Sequence, residues 1–130
     1  MSGSSVLSSS KVVAFLPATD LARARDFYQV MLGLRLVSDE RPVAMVYDGS
    51  GTMLRVTRVQ QFHPHPFTVF GWQVDAIEST VQQLIADGII FLRYAGLNEN
   101  HPLGIWTAPG GARIAWFKDP DGNVLSLTQI

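Results

Sequence analysis

At 130 residues, 47% apolar and 16% charged, the chain is the size of one domain that buries roughly two-thirds of its unfolded surface, and it is too apolar to stay disordered. A net charge of −1 with no basic block excludes the electrostatic footprint of a nucleic-acid binder and any strong pull on cationic ligands. The absence of cysteine excludes disulfides, thiolate nucleophiles and zinc–thiolate sites, and fits a cytoplasmic location.

The opening MSGSSVLSSS lacks the basic start and apolar core of a secretion signal, and residues 1–10 read as a flexible tail. No apolar run approaches the roughly 20 residues needed to cross a bilayer. KVVAFLP (11–17) then reads as a strand. In the segment after it Asp20 is a natural N-cap, Leu21, Ala24, Phe27, Tyr28 and Met31 form an apolar stripe, and Gly33 ends the helix. Three strands are expected next, at 34–38, 43–48 and 52–58.

QFHPHPF (61–67) follows, with two of the chain's 3 histidines. Pro64 and Pro66 fix their own φ and push His63 and His65 toward extended geometry. In a polyproline segment, side chains two apart diverge by about 120°. The pair therefore reads as a connector with solvated rings rather than a metal grip.

The second half repeats the first. FTVFGWQV (67–74) is a strand, and the helix after it carries Ile77, Val81, Leu84 and Ile85 as its stripe and Gly88 as its stop. Strands are expected at 89–93, 112–118 and 123–129. VAMVYDGSGTMLRVT (43–57) lies over IAWFKDPDGNVLSLT (114–128) without a gap, matching Ala44, Asp48, Gly51, Leu54 and Thr57 to Ala115, Asp119, Gly122, Leu125 and Thr128. Each segment is a β-hairpin. The Gly- and Pro-broken stretch 94–111 reads as a long functional or lid loop. The expected architecture is α+β: two βαβββ modules, 11–60 and 67–130, joined by a hinge at 61–66 and forming paired curved mixed sheets around a cavity, in a single domain over 11–130.

The helix motif at 20–33, with its Phe27-Tyr28 and Leu32-Gly33, together with FKDPDGNVL at 117–125, resembles the vicinal oxygen chelate superfamily. That group comprises glyoxalase I, extradiol dioxygenases and bleomycin-resistance proteins. The resemblance spans 11–129 and implies the glyoxalase-like fold of paired βαβββ modules, a homodimer, and a metal held by His, Gln or Glu from the first and last strand of each half. The matching positions here are Val13, Arg55, Val69 (or Thr68) and Ser126. Valine has no lone pair to give, arginine is a permanent cation, and a lone serine hydroxyl is a poor ligand. No metal and no cofactor are expected at these positions.

Strand alternation puts Val12, Ala14 and Leu16 on the helix side and Val13 and Phe15 on the other. The same parity turns Phe67, Val69 and Gln73 inward, with Gly71 leaving open room, and brings Arg55, Thr57, Ser126 and Thr128 to the inner face. Arg55 needs an anion, either a protein carboxylate or a ligand's anionic group. Trp106 on the long loop is expected to line or cover the pocket, Trp116 to be core or interface, and Arg93 and Tyr94 to be rim contacts. Asp119 and Asp121 serve a turn.

The expected function is metal-independent binding of an apolar or aromatic small molecule with an anionic group, through Phe15, Arg55, Thr57, Gln73, Trp106, Ser126 and Thr128. No nucleic acid or membrane partner is expected, and no catalytic residue is assigned. Two enzymatic alternatives stand beside it. One is a metal-dependent lyase or dioxygenase with unusual ligands such as His63, His65 and His101. The other is a metal-free lyase or isomerase with Glu99 or His101 as base.

Overall fold

A computed structural model describes residues 6–130. Half of the expected tail, residues 1–5, lies outside the described residues; residues 6–10 form an exposed turn closed by a bond from Ser10 N to Leu7 O at 3.2 Å. The chain divides into two compact units, 1–61 and 62–130. Among the described residues no helix is long and apolar enough to cross a membrane.

In the first unit β1 (Val13–Ala18) leads into α1 (Leu21–Arg25), followed by β2 (Arg35–Glu40), β3 (Ala44–Gly49) and β4 (Thr52–Arg58). The sheet order is β1-β4-β3-β2, with β1 parallel to β4 and the other pairs antiparallel. Asp20 caps α1 as its sequence position dictates, accepting from Ala22 N at 3.0 Å and Arg23 N at 3.1 Å. Beyond Arg25 the helix widens into a π-type turn over Asp26–Met31, with Leu32 N bonding to Phe27 O at 2.9 Å. The extra residue rotates the stripe: Leu21, Ala24, Phe27 and Tyr28 are buried, whereas Met31, expected on the same face, is exposed. Gly33 closes the helix at φ +74°, a conformation that glycine takes without steric cost.

The helix covers the sheet face formed by Leu16, Ala18, Met45, Tyr47, Leu54 and Val56, all buried. Tyr28 and Tyr47 meet there with ring centroids 6.3 Å apart. Val12, expected on this face, is exposed because the strand starts one residue later, at Val13.

The second unit repeats the plan with β5 (Thr68–Gln73), α2 (Ile77–Ala86), β6 (Trp106–Thr107), β7 (Arg113–Lys118) and β8 (Val124–Gln129), in the order β5-β8-β7-β6. Ile77 and Val81 are buried and Ile85 is exposed. Asp75, just before α2, does not repeat the capping role of Asp20. The start of α2 has no side-chain cap of its own, and Ile77 N is satisfied by Gln129 Oε1 at 2.8 Å. A sheet residue thus pins the helix.

Two expectations are corrected here. Residues 89–93 form no strand. Only Phe91 bridges to Phe117 and Leu92 N bonds to Trp116 O, while the outer edge of β7 is completed by Trp106–Thr107. The reason is local: Leu92 O accepts from Asn98 Nδ2 at 3.0 Å, which turns the chain away from the sheet.

The gap-free overlay of the two hairpins also fails by one residue. Ala44 pairs with Thr57, but Ala115 pairs with Leu127 and it is Ile114 that faces Thr128. Gly49 and Thr52 close the first turn around Ser50 and Gly51, both at positive φ. Lys118 and Val124 close a longer second turn, where Asp119 Oδ1 accepts from Asp121 N and Asn123 N at 3.0 and 2.9 Å. The longer turn shifts β7 by one residue against the overlay, which sends Ala115 to the helix side while Ala44 lies opposite. The β8 matches survive the shift: Ser126 and Thr128 hold the places of Arg55 and Thr57.

Candidate functional site

In each unit the sheet face away from the helix carries the expected site residues. In the first unit Phe15, Arg55 and Val46 are register partners across three strands, and Thr57 sits in the next row between Pro17 and Ala44. Phe15 is 65% exposed. Arg55 Nη2 lies 2.8 Å from Glu40 Oε1. Glu40 pairs with Ala44 and Arg55 with Val46, so the ion pair runs diagonally over β3. The guanidinium bond holds the Glu40 carboxyl below its usual range, and the Ser38 hydroxyl adds to the effect. The Thr57 Oγ1 is buried and has no hydrogen-bond partner among the described residues, a rarity for a buried hydroxyl.

In the second unit Gln73, Thr128, Ile114 and Trp106 form one row across all four strands, and Gly71, Ser126 and Trp116 form the next. Trp116 Nε1 donates to Thr68 Oγ1 at 3.0 Å. Trp106 lies against Trp116 with centroids 6.0 Å apart, and Tyr94 meets it edge-on at 5.4 Å. A bulge at Val69 leaves that residue without a register partner and puts Thr68 opposite Val124. Thr68 rather than Val69 therefore holds the face position. Phe67, exposed, stacks on His65 at 5.2 Å. The open room expected over Gly71 is absent. A Cβ there would clash with the Ser126 hydroxyl and lie 2.7 Å from the Ser126 carbonyl oxygen.

The long loop is knotted by its own polar groups. Asn98, buried, accepts from Tyr94 N at 2.7 Å and donates to Leu92 O and Gly104 O at 3.0 and 2.6 Å. Arg93 donates to the carbonyls of Asn98, His101 and Pro102. Glu99 Oε1 accepts from Gly96 N at 2.8 Å. His101 Nδ1 accepts from Leu103 N and Ile105 N at 3.0 and 3.2 Å, which leaves its ring proton on Nε2. Both loop residues weighed as bases are thus engaged with loop backbone. Asn98, which organises the loop, carries no pattern in sequence that marks it, and Glu40 emerges as the partner of Arg55 only once the register is known.

A family model described as Glyoxalase/Bleomycin resistance protein/Dioxygenase superfamily matches residues 11–127. The chain belongs to this superfamily. Solved structures agree on the fold. A superfamily member from Sphaerobacter thermophilus shares 20% identity, with 94% of this chain and 98% of that one covered and a TM-score of 0.72. A structure titled lactoylglutathione lyase, from Agrobacterium tumefaciens, shares 19% identity, with 93% of each chain covered and a TM-score of 0.71. TioX from Micromonospora sp. ML1 shares 20% identity, with 92% and 98% covered and a TM-score of 0.69. No curated protein gives a significant match.

The positions that the sequence resemblance matches to metal donors carry side chains ill suited to a divalent ion in both units. Val13 has no donor atom, and Arg55 is a cation already facing Glu40. Thr68 accepts the Trp116 N–H, Val69 has no donor, and Ser126 offers a lone hydroxyl. Among the described residues no three His, Asp or Glu side chains are grouped to hold a metal.

Proposed function

We propose that this superfamily member binds a small organic molecule without a divalent metal, and that the ligand has an apolar or aromatic body and an anionic group. The single observation behind this reading is the donor-poor set at Val13, Arg55, Thr68 and Ser126. Phe15, Arg55 and Thr57 are the contacts on the first sheet, and Gln73, Trp106, Ser126 and Thr128 those on the second. Arg55 engages Glu40 through one amino group and keeps further N–H donors for a ligand anion.

We further read the chain as a cytoplasmic homodimer without nucleic-acid or membrane partners. The exposed Val13, Phe15 and Met53 on the first sheet support a face covered by a second copy. The cysteine-free composition and near-neutral charge support the rest.

Thermal-shift measurement against aromatic carboxylates and their matched amides tests the ligand class. Carboxylate-selective stabilisation that is reduced in Arg55→Met is expected. Stabilisation by carboxylate and amide alike, or stabilisation that appears only with an added divalent ion, removes this reading.

A further inference from the structure

A second place for a small anion lies in the second unit, among residues that the proposed ligand contacts do not include. A cleft of about 240 Å³ opens between the 64–66 linker, the start of the long loop and the end of β7. Its walls include the apolar Leu92 and Val124 and the ring of Tyr94. Its charged or titratable side chains are Arg93, Lys118, His65 and Tyr94, and none of its lining residues is a carboxylate.

The cleft is built rather than incidental. A Cβ on Gly122 would lie 2.8 Å from Pro64 Cγ, so the glycine is what lets the linker seat against the 119–123 turn. The Tyr94 ring is held edge-on against Trp116. Arg93 is held by three backbone carbonyls through three of its five N–H groups, so its charge stays beside the cleft.

No carboxylate among the described residues pairs with Lys118 or Arg93. The nearest acid in sequence, Asp119, already accepts from Asp121 N, Asn123 N and Asn123 Nδ2. A concave site with one sign of charge and apolar walls concentrates anions. Here that contrasts with Arg55, whose charge is met by Glu40.

We propose that this cleft binds a small carboxylate with a single flat ring, Lys118 taking the carboxylate and Leu92, Tyr94 and Val124 the ring. Arg93 contributes charge beside it. The apolar walls favour an organic acid over a bare inorganic anion. This site is independent of the reading proposed above, and its test separates the two.

Amide-resolved NMR titration of the full chain with benzoate, benzamide and inorganic phosphate reads the site directly. Benzoate is expected to shift the amides of Leu92, Tyr94, Gly122 and Val124. Lys118→Met weakens binding about tenfold while Lys118→Arg retains it, since a charge-assisted contact is lost in one and kept in the other. Lys118 is exposed, so neither change disturbs the core, and an unchanged spectrum of each free variant verifies this. Benzamide and phosphate are expected to bind about tenfold more weakly than benzoate. The site is overturned if benzoate causes no shift there, if benzamide or phosphate binds equally well, or if Lys118→Met binds as wild type. Shifts confined to Phe15, Arg55 and Thr57 overturn it too, and support the first-sheet site instead.

Discussion

The Arg55 guanidinium reaches diagonally across β3 to the Glu40 carboxylate, Nη2 to Oε1 2.8 Å. The contact answers the question that an arginine on an apolar strand face raises. Its anion is already part of the protein, and a ligand anion must share or displace it.

Arg55→Met is expected to raise the Glu40 carboxyl back toward its ordinary value, because the guanidinium bond is the main cause of its lowering. The sign for stability follows. A carboxyl lowered in the folded state contributes stability above its unfolded value and loses it as pH falls through the folded value. The variant therefore loses less stability than wild type on acidification through that window. Carboxyl-detected NMR titration of Glu40, with urea denaturation at several pH values, checks both parts. The stability difference is small because both side chains are partly exposed.

Gly71→Ala places a Cβ against the Ser126 hydroxyl and 2.7 Å from the Ser126 carbonyl oxygen. The strands must separate to admit it, at a cost of about 1–3 kcal/mol. Ser126→Gly in the same chain removes the hydroxyl but leaves the carbonyl, so the double variant recovers only part of the loss. Denaturant unfolding of the two variants measures this.

Asn98→Ala leaves Tyr94 N, Leu92 O and Gly104 O without the partner that joins them. A loss of about 1–3 kcal/mol is expected from the unsatisfied buried groups. Hydrogen exchange should quicken at the Tyr94 amide, and tryptophan emission should shift to the red as Trp106 loses its fixed place against Trp116. Unchanged exchange at Tyr94 would show that the loop is held by other means.

The sequence carried the helix start at Asp20, the stop at Gly33 and the strand faces of Phe15, Arg55, Thr57, Ser126 and Thr128, because caps, turns and alternation act over a few residues. It did not carry the π-type widening that exposes Met31, since one inserted residue leaves the apolar spacing legible either way. Residues 89–93 look like a strand by composition, and the side-chain bond from Asn98 to Leu92, which composition does not reveal, accompanies the handover of the edge of β7 to Trp106 and Thr107. The hairpin overlay matched residue types across turns of different length, and turn length sets register. Lys118 drew no notice in sequence because the missing carboxylate partner and the seated linker are properties of the folded chain.

Elemental analysis of the chain purified without chelator addresses the metal-free account most directly. Far less than one divalent ion per chain is expected, with a melting midpoint that zinc, manganese, nickel and iron(II) leave unmoved. One equivalent of a divalent metal that survives desalting and raises the melting midpoint would contradict it.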